Sequence, residues 1–215
     1  MKNLFFTTII GFVLFTGCIN WGGVKGSGKI REEIRTVPKF EAIDLSGSFL
    51  AEIECGANPS LKIIAEDNII PLIAVKVKDG KLQVYTKKSV SPRKEIKLVI
   101  TVGDLKSIES SGASSLLVTD INNDDLMVNC SGASSIELFG RTEKFEVNIS
   151  GAADLKAGEL KAEIVNIDIS GALNAIVFAA QSLNAQVSGV GNIDYYGNPP
   201  KIKTNVSGVG SINKK

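Results

Sequence analysis

Histidine is absent from the 215-residue chain. That removes the commonest general base and the commonest metal ligand together, and with them His-dependent hydrolases and His-ligated zinc sites. An excess of either charge is missing too. The 24 basic residues stand against 23 acidic ones, which leaves neither a basic footprint for nucleic acid nor an acidic tail. Arginine occurs only at positions 31, 35, 93 and 141, so the mixed acid and base wall of a polysaccharide lyase does not assemble and no convergent catalytic set is visible. The G-G-x-G-x-D periodicity of calcium-binding repeats and the Gly-Lys-Ser/Thr ending of a phosphate loop are not found either. Helix-favouring runs are few, and nothing has the length of a coiled coil. The expectation is a non-enzymatic protein without a cofactor or a metal.

What is present begins with an address. Met1-Lys2-Asn3 is a short positive start, followed by an apolar run from Leu4 to Phe15 broken only by Thr7, Thr8 and Gly11. The run is too short to span a bilayer comfortably and reads, over residues 1–17, as a signal peptide. Gly17-Cys18 at its end resembles the lipobox of bacterial lipoproteins, in which Cys18 is acylated and becomes the mature N-terminus. Phe15 stands where the usual pattern has Leu, and an ordinary secretory signal with an incidental Cys18 is the alternative. Residues 18–33, rich in glycine and polar groups, read as a lipid-attached flexible tether. Trp21 within it suits headgroup depth, or packs on the domain. Without residues 1–17 the side chains balance at 23 against 23, since only Lys2 is lost.

The remaining 34–215 has one-domain length, and a hydrophobic content of 44% is enough for a continuous core. Ser-Gly-Ala or Ser-Gly-Val occurs at 111, 131, 150, 170, 188 and 207, giving units of 20, 19, 20, 18 and 19 residues. Such a period belongs to solenoids. Before each Ser the chain alternates: in "FEVNI" from 145, Phe145, Val147 and Ile149 share one face while Glu146 and Asn148 share the other. The last inward position gives a column Ser110, Cys130, Ile149, Ile169, Val187, Val206. After the tripeptide come two more, Leu116, Ile136, Leu155, Ala175, Ile193, Ile212 and Val118, Leu138, Ala157, Val177, Tyr195. Each Ser-Gly pair therefore marks a corner, at which glycine supplies backbone angles closed to other residues. One coil cannot bury its apolar face alone, whereas coils stacked about 4.8 Å apart bury them all. The fold expected is all-β, a right-handed parallel β-helix with coils of about 19 residues. Within it, 106–215 are regular repeats.

Residues 34–105 read as an N-terminal capping part. Ser46-Gly47-Ser48 is a further corner, three strand candidates follow it, and Lys78-Asp79-Gly80 is a hairpin turn. Cys55 and Cys130 fall on inward positions of different segments, as buried free thiols or as a disulfide.

Phe40-x-x-Ile43, Ser46-Gly47, "AEDNIIPLI" from 65, "DGKLQV" from 79 and the serial "SGA" and "SGVGNI" units resemble the auto-transporter adhesin head (GIN) domain family from about residue 30 onward. The resemblance implies a right-handed β-helix on a lipid-anchored or secreted protein of a Gram-negative bacterium. It brings no catalytic residues.

Function then rests on the outer surface. One polar column, Glu109, Asn129, Asn148, Asp168, Gln186 and Asn205, lies just before the corners; another, Ser115, Ser135, Asp154, Asn174, Asn192 and Ser211, lies just after them. Asn129, Asn148, Asp168, Gln186 and Asn205 form the candidate ligand ladder, with self-stacking as its structural alternative. Phe139, Phe178 and Tyr196 share one coil position, as a platform for sugars or as a packed corner. The reading is a cell-envelope, outer-membrane lipoprotein that acts as an adhesin-like binding module for a glycan or a surface protein. A self-associating envelope scaffold is the alternative, and a carbohydrate-active enzyme a distant one.

Overall fold

The structure, a computed structural model, describes residues 22–215. The signal segment, Cys18 and Trp21 lie outside the described residues. In chain order, β1 (Val24–Lys25) and β2 (Ile30–Arg35) precede β3 (Ala42–Ser46) and β4 (Leu50–Cys55). Next come β5 (Ser60–Glu66), β6 (Ile73–Lys78), β7 (Lys81–Thr86), β8 (Val90–Ser91) and β9 (Lys97–Val102). The regular part holds β10 (Ser107–Ser110), β11 (Ala113–Cys130), β12 (Ala133–Ile149), β13 (Ala152–Ile169) and β14 (Ala172–Val187). It ends with β15 (Val190–Tyr196), β16 (Lys201–Val206) and β17 (Val209–Lys214).

From β10 onward every strand pair is parallel, and the chain winds as a right-handed β-helix. The inward columns stack as the spacing requires. Ser110 pairs with Cys130, Cys130 with Ile149, Ile149 with Ile169, Ile169 with Val187, and Val187 with Val206. Burial removes nearly all of these residues from water up to Val187, and each fully buried Ile, Leu or Val contributes about 1.5–3 kcal/mol relative to exposure. Where the column carries Ser110, its hydroxyl meets Ser134 Oγ at 2.9 Å, so the polar atom is paired inside the core.

The corner glycines owe their identity to crowding rather than to backbone angle. Gly112, Gly132, Gly151, Gly171, Gly189 and Gly208 are not among the residues with positive φ, which corrects the expectation from the sequence. A Cβ on any of them would run into the carbonyl oxygen of the corner glycine one coil before. Left-handed angles instead mark a second bend, at Asp120 (φ 60°), Gly140 (φ 134°) and Gly197 (φ 94°). There the register slips between Val118 and Ile121, Glu137 and Phe139, and Ala157 and Lys161, so the unequal coil lengths are absorbed on that side.

The N-terminal part both caps and enters the stack. β3 pairs in parallel with β10 on one side and β7 on the other, and β4 likewise with β11 and β9. The coil β3–β4 thus lies between a coil that comes later in the chain, β7–β9, and the regular repeats. Antiparallel strands close the outer edges: β6 on β7, through the turn at Asp79 (φ 51°) and Gly80 (φ 73°), and β5 on β9 with β2 beyond it. The fold begins before residue 34, because β1 and β2 occupy part of the expected tether. Pairing explains this: Ile30 to Arg35 bond in register to Glu66 to Leu61, and the buried Glu66 carboxylate accepts N–H bonds from Gly28 (2.6 Å) and Arg93 (2.9 Å). Among the described residues no helix is long and apolar enough to cross a membrane. Cys55 and Cys130 are both free and buried.

Candidate functional site

Parallel pairing in register turns a polar residue at one coil position into a column. Two places before each corner serine this gives Asp44, Glu109, Asn129, Asn148, Asp168, Gln186 and Asn205 in successive rungs. A groove of about 590 Å³ runs along it, lined by Asp44, Glu109, Asn129, Asn148 and Asp168 and by the corner serines 46, 111, 131, 150 and 170. Three of the five residues expected from the sequence, Asn129, Asn148 and Asp168, are therefore brought together. Gln186 and Asn205 continue the column beyond the groove lining.

Asp44 and Ser46 belong to the site and were not expected there. Their coil lies 65 residues earlier in sequence, yet Ser111 Oγ donates to Ser46 Oγ at 3.0 Å. The signal was a polar residue two before a Ser-Gly pair, the same offset as in every later coil.

Hydrogen bonds engage part of each polar column. After the corner, Asn192 donates to Asn174 (3.4 Å) and Ser211 to Asn192 (3.1 Å), so the last three residues of that column are engaged with one another, while Ser115, Ser135 and Asp154 make no side-chain hydrogen bond among the described residues. Before the corner, Asn148 Nδ2 donates to Asn129 Oδ1 at 3.0 Å, while Asp168, Gln186 and Asn205 make no side-chain hydrogen bond or ion pair among the described residues. Glu109 is held by Lys81 at 2.7 Å and Asp44 accepts from Ser46 Oγ at 3.2 Å. The groove is thus hydroxyl- and amide-rich, with carboxylates outnumbering its one neighbouring ammonium. Such a surface suits a neutral polyhydroxyl chain and repels a polyanion.

The opposite wall offers no acid-base set. Its Glu137 and Lys156 pair at 2.6 Å, and that hydrogen bond raises the Lys156 ammonium above its ordinary value. Among the described residues no group of three or more Cys, Asp and Glu converges to hold a metal ion.

The aromatic residues do not form one column. Phe178 and Tyr196 are in register, but Phe139 pairs with Glu159 while Phe178 pairs with Lys161. The bulge in β13 displaces Phe139 by two residues. Phe139 and Tyr196 are 38% and 45% exposed, so neither is a packed corner.

Residues 39–199 match the family described as "Putative auto-transporter adhesin, head GIN domain". The chain belongs to this family. Among solved structures, one similar protein is a "putative adhesin" from Bacteroides fragilis, 25% identical over 90% of this chain and 100% of that one, with a TM-score of 0.74. A "putative lipid binding protein" from Parabacteroides distasonis is 22% identical with a TM-score of 0.52, covering 90% of this chain and 100% of that one. A "putative adhesin" from Parabacteroides merdae is 21% identical with a TM-score of 0.50, covering 90% and 99%. No match is found among curated proteins.

Proposed function

We propose that this GIN-domain protein is a cell-envelope binding module, tethered through a lipid on Cys18 to the outer membrane, that holds an extended glycan along the groove of the Ser-Gly corners. The observation that carries the reading is the polar column before the corners: Asn129, Asn148 and Asp168 line one groove with the corner serines, and beyond the Asn129–Asn148 pair Asp168, Gln186 and Asn205 keep their hydrogen-bonding groups free. Rungs repeat about every 4.8 Å, close to the advance of one sugar ring in an extended β-linked chain. A glycan is favoured over a peptide because the walls spend their backbone N–H and C=O groups on coil-to-coil pairing, which leaves none for strand addition. Neighbouring rungs hold one ligand together and reinforce each other.

A glycan-array screen of the mature chain tests this, with Asn129→Ala, Asn148→Ala and Asp168→Ala combined in the control. A neutral glycan that binds the native chain and is lost from the folded triple variant supports the groove. Binding that survives the triple variant removes it.

The scaffold reading has one observation in its favour. In the last described coil Ile202, Val206 and Val209 are 50%, 40% and 71% exposed, as a surface for self-association would be. Against it stands Lys214, which takes the inward rung above Tyr195, where a charge opposes further stacking.

A further inference from the structure

The second bend, on the far side of the coil from the serine corners, has a ladder of its own. Asn122, Arg141, Lys161, Phe178 and Tyr196 succeed one another in register. A groove of about 1020 Å³ follows this ladder from Asn122 to Phe178, with Asp124, Glu143 and Glu163 as its other rim. Both rims are outward positions of the same strands, two residues or about 7 Å apart.

Arg141 is exposed and makes no ion pair or side-chain hydrogen bond among the described residues. Its neighbour Lys161 lies 4.4 Å from the centre of the Phe178 ring and 3.7 Å from Glu159. Glu163 accepts from Gln181 Nε2 at 2.9 Å. One rung beyond Phe178, Tyr196 is 45% exposed, with its ring edge 3.8 Å from where a Cβ of Gly158 would stand. The missing side chain at Gly158 leaves that ring room against the wall.

We propose that this ladder is a second binding site, for a glycan chain that carries an isolated carboxylate. The guanidinium of Arg141 takes the carboxylate through two parallel donors, and the exposed ring of Tyr196 takes the face of a sugar ring further along. The carboxylates of the other rim accept sugar hydroxyls. Because that rim is acidic, a ligand with a charge on every ring is repelled, and a neutral chain leaves Arg141 without a partner. Arg141, Lys161 and Phe178 are each paired with a strand on both sides, so an acidic peptide gains no main-chain bonds along them. The site is separate from the serine-corner groove and stands without it.

Calorimetric titration of the whole chain tests the site with a xylo-oligosaccharide bearing one glucuronic acid, the same oligosaccharide without the acid, an oligogalacturonate and an acidic peptide. The acid-bearing xylo-oligosaccharide is expected to bind best. Arg141→Ala should weaken it at least about tenfold and Arg141→Lys less, since an ammonium cannot supply paired donors. Tyr196→Ala should weaken the acid-bearing and acid-free sugars alike. Both positions are exposed, so thermal melts should not move. The proposal is overturned if Arg141→Ala binds like the native chain, if the two xylo-oligosaccharides bind equally, if none of the sugars binds, or if the peptide binds best. Loss of binding in the Asn148→Ala, Asp168→Ala variant but not in Arg141→Ala would overturn this site and leave the serine-corner groove standing.

Discussion

Gly132 turns its carbonyl oxygen to the point at which a side chain on Gly151 would begin, and the same oxygen accepts the N–H of Ala152 at 2.8 Å. Repeated from Gly112 to Gly208, this contact sets how closely successive corners approach.

A side chain there must displace backbone and break the Ala152 bond. Gly151→Val is expected to destabilise the domain by about 2–4 kcal/mol, from overpacking together with a lost hydrogen bond. At Gly158 a Cβ would meet side chains rather than backbone, the Cγ2 methyl of Ile176 at 3.1 Å and the Tyr196 ring edge at 3.8 Å, so Gly158→Ala should cost about 1 kcal/mol or less. Urea unfolding of the two variants checks the contrast, and equal midpoints would contradict the account of the corners.

Glu66 holds the entering chain to the cap by accepting from Gly28 and Arg93. Glu66→Ala leaves both donors without that acceptor and should cost about 2–3 kcal/mol. Hydrogen exchange over residues 24–30 should accelerate well beyond that of the repeats. Glu66→Gln, which keeps one acceptor oxygen, should fall between the two.

Burial, with smaller contributions from Asp104 and Asp120, pushes the Cys55 thiol up to about 12. The folded chain should therefore resist alkylation at Cys55 at pH 8 and react once unfolded. The sign of the linkage follows. The native state keeps a proton that the unfolded thiol loses above about pH 8.5, so this contribution to stability is complete below that pH and declines as pH rises toward about 12. Urea unfolding at pH 7 and pH 9.5 should show a steeper loss for the native chain than for Cys55→Ala.

If the signal is a lipoprotein signal, Cys18→Ser should release the chain from membranes without changing its melting curve, because the described strands, from Val24 onward, do not draw on it. Intact mass of the native protein is the direct check: an unmodified N-terminus would remove the anchor from the proposed function.

The regular repeats were legible because an inward residue at period two and a corner every 18 to 20 residues admit one register, and the columns through Ile149 and Leu155 stack as expected. The cap was less so. Ile30–Arg35 reads "IREEIR", with no apolar alternation, because it is an outermost strand whose hydrogen bonds rather than whose side chains hold it. The place of Asp44 in the groove was legible only from its offset two before Ser46-Gly47, since its rung partners, Gln83 and Glu109, lie far from it in sequence. The aromatic column failed for a local reason: a bulge in β13 changes which residues face each other without changing the spacing of the corners.

The coil formed by β3 and β4, held between a later coil and the repeats, has a consequence for how the chain acquires its structure. Residues 42–55 have no place in the stack until residues 81–102 and 107–118 have both arrived. The protein cannot be wound up turn by turn from its N-terminus as it is synthesised. Contacts this distant in sequence make for slow folding, and a nascent chain that stops near residue 105 has its third and fourth strands open along one edge, where they invite aggregation. The cap and the repeats thus complete each other late, as one cooperative event.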